Sequence, residues 1–152
     1  MLRKVLGGVA TVLVVVLTGA CGEDPIEADP AVTPFVGTWD ADSLTLISDA
    51  SPPDTANLLT FGSFFITVEP SGQYTATLTV LGQPSPEIGQ LGVVNGSTLT
   101  LTPSFPAGRP VGTSAYVFQA DDYLILDGPT EFDFNLDGTA EPAQAHFELR
   151  RQ

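Results

Sequence analysis

A chain of 152 residues carrying 18 acidic side chains against 5 Lys or Arg, with a formal charge of -13, is too acidic to hold a phosphate backbone, whose binding depends on Lys and Arg neutralising it. Nucleic acid is excluded as a partner, and the length is that of one domain with a real core. A single cysteine and a single histidine leave no intramolecular disulfide and too few ligands for a zinc site.

The first predicted element is a leader over residues 1–20. Arg3 and Lys4 precede an apolar stretch over residues 5–17, followed by Thr18-Gly19-Ala20-Cys21. That stretch has the length of a secretory signal core and falls short of the roughly 20 residues a membrane-spanning helix needs. Leu17-Thr18-Gly19-Ala20-Cys21 resembles the lipobox of bacterial lipoprotein precursors, departing from the common pattern in having Thr18 where leucine usually stands. The resemblance implies cleavage after Ala20, acylation of Cys21 as the mature N-terminus, and residence at the bacterial cell envelope, on an outer membrane facing the periplasm or the cell surface. Membrane contact would then run through the lipid alone, each buried methylene contributing about 0.8 kcal/mol. Ordinary signal-peptidase cleavage after Thr18-Gly19-Ala20 is the rival reading. The unpaired thiol of Cys21 favours lipidation, because a lone cysteine in an oxidising compartment otherwise lacks a role.

Residues 21–34 follow as the lipidated cysteine and an acidic, proline-rich tether, in which residues 22–34 hold four acids and three prolines and should remain extended by self-repulsion. Loss of residues 1–20 leaves Arg109, Arg150 and Arg151 as the strong bases, so anionic headgroups should repel the folded part.

From residue 35 the chain breaks into short alternating segments bounded by Gly, Pro, Asn and Asp, which predicts an all-β domain over 35–152. Strands are expected at 37–47 and 58–68, around a loop at 48–57 whose Ser51-Pro52-Pro53-Asp54 rules out regular pairing. Tyr74, Ala76, Leu78 and Val80 alternate with Gln73, Thr75, Thr77 and Thr79, giving a strand with one apolar face. Residues 82–90 read as a loop. Asn95-Gly96 between two β-type runs predicts a hairpin leading into a strand at 98–102. Tyr116 and Phe118 mark the next strand, Asp121-Asp122 a turn, and 123–127 its partner. Phe132 and Phe134 precede a break at 135–142. A last strand then places Ala143, Ala145, Phe147 and Leu149 on one face and Gln144, His146, Glu148 and Arg150 on the other. Eight or nine strands with short connections form an antiparallel up-and-down meander, which loses its exposed edges most simply by closing into a barrel.

Phe35-Val36-Gly37-Thr38-Trp39 resembles the G-x-W motif of lipocalins and calycin-like domains, and the resemblance spans about residues 35–151. It implies a lipocalin-like barrel in which Gly37 permits a tight approach, Trp39 closes the floor, and an arginine of the last strand packs across the tryptophan. Arg151 is in phase with Phe147 and Leu149 for that role. The order of leader, tether and barrel looks like that of small lipocalin-like lipoproteins of bacteria.

Catalytic signatures are missing. His146 falls on the polar face of its strand, no G-x-S-x-G elbow accompanies it, and no reaction is assigned, so a non-enzymatic protein is expected. No cofactor is required; Ca²⁺ is the one candidate. Asp133, Asn135, Asp137 and Glu141 offer side-chain oxygens and Thr139 its carbonyl, with Gly138 at the sharp turn, in the spacing of an EF-hand-type loop. Gln144 replaces the closing glutamate and Pro142 interrupts, so a plain hairpin turn at Asp137-Gly138 is the alternative. Two functions remain open. An eight-stranded barrel can hold one small apolar ligand; if its many aromatic rings fill it, the barrel is instead a structural module presenting loops 48–57 and 82–90 to an envelope protein. An interior void of roughly 300 Å³ or more separates the two.

Overall fold

The computed structural model describes residues 29–152. Nine strands follow one another along the chain: β1 Gly37–Ser48, β2 Thr55–Asn57, β3 Gly62–Val68, β4 Gln73–Val80, β5 Gln83–Val94, β6 Thr98–Phe105, β7 Gly112–Ala120, β8 Tyr123–Phe132 and β9 Glu141–Arg151. Strands β3 to β9 pair antiparallel with their sequence neighbours, and β9 pairs antiparallel with β1, so the sheet closes into the antiparallel barrel expected from the meander. Eight strands make the wall, and β2 is a short addition outside the closed circuit.

Strand β1 organises the closure. Gly37 to Asp40 pair with β3, Thr45 to Ile47 pair with β2, and Trp39 to Ser48 pair with β9 through a register shift at Ala41/Ser43. The extra residue there bends the strand and increases its twist, as barrel closure requires. Inward alternation follows the residue types. Tyr74, Ala76, Leu124, Leu126, Ala143, Ala145 and Leu149 are buried, while the intervening Gln73, Thr75, Asp127 and Gln144 are exposed. Asn95 and Gly96 adopt φ 53° and 65°, the left-handed pair a tight hairpin needs between β5 and β6.

Four details depart from the sequence expectation. Residues 55–57 do pair, as β2, because the Pro52-Pro53 obstruction ends before Thr55, and Ser48 accepts the Asp54 amide at 2.8 Å to turn the chain back. Residues 58–60 form a 3₁₀ turn, with Asn57 accepting the Leu59 amide at 3.0 Å, so β3 starts at Gly62. The expected loop at 82–90 is instead the first half of β5, which pairs with β4 from Val80↔Gln83 to Gln73↔Gln90. Pro84 and Pro86 are tolerated because β6 joins β5 only from Ile88 onward, leaving an edge where a missing amide donor breaks no ladder. Finally, packing begins before residue 35: Val32 and Phe35 are each 1% exposed and belong to the core.

The core divides along the barrel axis. At the end where β1 begins, Val32, Phe35, Trp39, Val68, Tyr74, Leu91, Leu99 and Leu149 pack into one cluster. Toward the other end, Leu44, Leu46, Leu58 and Ala145 form a second, with Phe64, Phe132, Phe134 and Phe147 packed against it.

Candidate ligand cavity at the open end of the barrel

The two ends are packed differently. Phe35, Tyr116 and Phe118 stack with centroids 5.0 to 6.0 Å apart, and Trp39 lies 6.1 Å from Phe118, all at the floor. The Trp39 Nε1–H donates to the Phe35 carbonyl at 2.8 Å, which satisfies the indole's one polar group in a buried site. Arg151 lies over the same ring, its guanidinium carbon 4.3 Å from the centroid. Its nitrogens donate to the carbonyls of Val36 and of Pro34, the latter at 2.7 Å. Gly37 sits at φ 130°, a backbone angle that demands glycine, and a Cβ there would stand 3.3 Å from the Arg151 guanidinium. Gly37, Trp39 and Arg151 are thus brought together at the floor.

At the other end Ala76, Gly128 and Ala145 point small surfaces inward, with Gly128 and Ala145 directly opposite each other across β8 and β9. Between these small residues and the larger Leu44, Leu46, Phe64 and Phe147 the interior is incompletely filled. Strands β6 and β7 share only four register pairs, Thr98↔Ala115 to Leu101↔Gly112, and then diverge. The result is a cavity of about 430 Å³ with walls that include Leu44, Leu46, Phe64, Ile66, Leu78 and Phe147. A second, more open hollow of about 690 Å³ adjoins it, sharing Glu87, Arg109 and Glu131 and reaching the surface past Pro110 and Val111.

One polar device is built into the apolar wall. Glu87 of β5 stands opposite Ala76 and faces the lumen. Its Oε1 accepts the Tyr74 hydroxyl at 2.6 Å and its Oε2 accepts from Arg109 at 3.0 Å. Tyr74 is fully buried, and burial together with the adjacent Glu87 carboxylate pushes its hydroxyl pKa up, so it stays a proton donor. Gly89 makes the arrangement possible, because a Cβ there would stand 2.8 Å from the Tyr74 ring. These residues were missed in the sequence. Ser85 and Glu87 are polar on the inward phase, and two prolines disguise the strand that carries them.

The predicted calcium loop lies on the same rim, between β8 and β9. Asp133 accepts the amides of Asp137 and Gly138 at 3.1 and 2.8 Å, Asn135 accepts the Asp137 amide at 2.9 Å, and Asp137 accepts the Thr139 amide at 2.8 Å. Asn135 in turn donates to Glu141 at 3.1 Å. The structure brings Asp133, Asn135, Asp137, Thr139 and Glu141 into one braced turn. Among the described residues, no group of three or more His, Cys, Asp or Glu is placed to hold a metal ion. His146 is on the outer face of β9, 2.7 Å from Asp127 and 3.3 Å from Glu148, outside the lumen. Cys21 and the leader lie outside the described residues.

Fold and cavity together define a closed, eight-stranded antiparallel barrel with a sealed floor and a hollow upper half. No protein-family model matches the chain, and no curated protein does. Among solved structures, one described as "Structure of EF1p2_mFAP2b bound to DFHBI" is similar, with a TM-score of 0.51 at 18% identity, covering 80% of this chain and 97% of that one. At that identity the likeness is one of fold.

Proposed function

We propose that this protein is a lipocalin-like, non-catalytic binding protein that takes one small apolar molecule into the upper half of its barrel, and that a lipid on Cys21 holds it at a bacterial cell envelope. The observation that carries the binding reading is the cavity of about 430 Å³, whose lining combines Leu, Ile and Phe with a few polar groups, a size and lining typical of small-molecule pockets. The neighbouring fold bound to DFHBI adds support. A non-catalytic role accords with the position of His146, which is tied to Asp127 and Glu148 on the outer surface. The filled-barrel alternative would need the upper half closed by side chains, whereas the rings of Phe64, Phe132 and Phe147 there leave a void of about 430 Å³ beside Gly128 and Ala145. Native mass spectrometry of the protein extracted from its source should reveal a bound small molecule, and a Ser85→Trp variant, with a large ring at the cavity wall, should lose it. A protein that carries no ligand, and binds no apolar probe that wild type and variant distinguish, would refute the reading.

The anchor rests on the Leu17 to Cys21 run. Cells fed a radioactive fatty acid should label the wild type and not Cys21→Ala; a labelled alanine variant would exclude the anchor. Ca²⁺ at the Asp133 to Glu141 turn is proposed as a subsidiary, stabilising ligand, resting on the alternation of its oxygen side chains.

A further inference from the structure

We propose that the ligand of this cavity is a cationic amphiphile, an apolar body carrying a protonated amine whose ammonium group takes the place of Arg109 on Glu87. The inference rests on the cavity being a ligand site and goes on to name the chemistry of the ligand's head.

The charged residues lining the cavity are Glu87, Arg109 and Glu131. They differ in what holds them. The Glu87 side chain is 18% exposed, and the buried Tyr74 hydroxyl fixes one of its oxygens at 2.6 Å, which aims the other into the lumen. The Arg109 side chain is 50% exposed, lies on the connection between β6 and β7, and reaches Glu87 through one nitrogen at 3.0 Å. Gly108 beside it, at φ 87°, has open space around it. If the pair opens, the half-exposed Arg109 swings into water at little cost, whereas Glu87, 18% exposed and held by the Tyr74 hydroxyl, stays facing the lumen. A carboxylate left facing a partly dry lumen without its cation is strongly unfavourable. A ligand that brings its own cation relieves this while its chain covers the apolar walls.

An anionic head meets the opposite situation. Arg109 is the one basic residue among those lining the cavity; Glu87 already engages it, and Glu131 lines the same cavity. The whole chain carries -13, and its field attracts cations toward the mouth and repels anions.

The test uses three probes of equal chain length, decylammonium, decanol and decanoate, titrated calorimetrically into the full chain at neutral pH and one ionic strength. Decylammonium should bind at least about tenfold more tightly than decanoate, with decanol between them. Glu87→Gln keeps an acceptor for Tyr74 and should reduce decylammonium to the affinity of decanol. Arg109→Gln removes the competing cation and should tighten decylammonium while weakening decanoate. Ser85→Trp controls for adsorption to the acidic surface: decylammonium binding that persists unchanged in this variant places the preference outside the cavity and overturns the proposal. Decanoate binding as well as decylammonium, or a Glu87→Gln variant with an unchanged ratio, overturns the amine assignment while leaving the cavity a ligand site. Failure of all three probes overturns both.

Discussion

At the floor of the barrel, Arg151 joins the last strand to the chain segment before the first. Its guanidinium covers the Trp39 ring at 4.3 Å and hydrogen-bonds the carbonyls of Pro34 and Val36. A lysine cannot reproduce that forked, planar contact. Arg151→Lys should therefore lower stability by about 1 to 2 kcal/mol, the scale of a cation–π contact plus one net hydrogen bond. Trp39 is 1% exposed, and Trp39→Ala should cost about 3 to 5 kcal/mol. Because that variant can lose its fold altogether, Trp39→Phe is the finer probe: it keeps a ring while losing the donor to the Phe35 carbonyl and part of the buried ring volume, for about 1 to 3 kcal/mol. Urea unfolding followed by circular dichroism measures all three. An Arg151→Lys variant as stable as the wild type would show that the floor is sealed by the rings alone.

Among the elements, the β8–β9 connection is the one whose ion dependence can be tested directly. Leu136 and Gly138 adopt φ 60° and 90°, curling the chain so that the amides of Asp137, Gly138 and Thr139 meet the oxygens of Asp133, Asn135 and Asp137. If Ca²⁺ binds the remaining lone pairs, the fold gains about 1.4 kcal/mol when free ion is tenfold above the dissociation constant. The melting temperature of the full chain should rise with millimolar Ca²⁺ more than with Mg²⁺ at matched ionic strength, since Mg²⁺ demands a tighter octahedral site. Asp133→Asn with Asp137→Asn should remove the difference; equal shifts with both ions would leave the loop a self-braced turn. The spacing of oxygens made this turn legible in the sequence, as did the strand alternation of β4 and β9 and the positions of Gly37, Trp39 and Arg151. The polar half of the cavity was not legible. Glu87 is indistinguishable in sequence from a solvated acid, and its inward placement follows from β5 pairing residue by residue with β4, a long-range register that the local Gln83-Pro84-Ser85-Pro86 pattern conceals. Arg109 reaches it across 22 positions of sequence, beyond any local periodicity.

On the scale of the whole molecule, the first described residues and the C-terminus both lie at the sealed floor, where Asp29 accepts the amides of Val32 and Thr33 and the Gln152 amide donates to Thr38. A tether from Cys21 would thus enter at the end opposite the mouth, leaving the cavity facing away from the anchor. The same molecule carries a large negative charge, and His146, the one histidine of the sequence, lies on its outer surface. His146 is held above its ordinary value chiefly by its hydrogen bond to Asp127, with partial burial opposing and Glu148 assisting. Glu148 is held below its ordinary value by the Tyr123 hydroxyl and then by His146. The raised His146 contributes stability that is complete below its ordinary value of 6.5 and is lost as pH rises through the raised native value. The lowered Glu148 contributes stability that is complete above its ordinary value of 4.5 and is lost as pH falls through the lowered native value. Both are therefore in full effect between about pH 4.5 and 6.5, and repulsion among the acids, nearly complete by the upper end of that window, adds no later gain. The urea midpoint should pass through its maximum in this window and decline toward pH 8. His146→Gln should flatten the alkaline limb and weaken the acid limb without abolishing it, since Tyr123 still holds Glu148. High salt should raise the midpoint at pH 8, where self-repulsion is what remains to be screened. A midpoint that climbs steadily from pH 5 to 8, or an alkaline decline unchanged in His146→Gln, would remove His146 from the account and leave the carboxylates alone in control of the pH response.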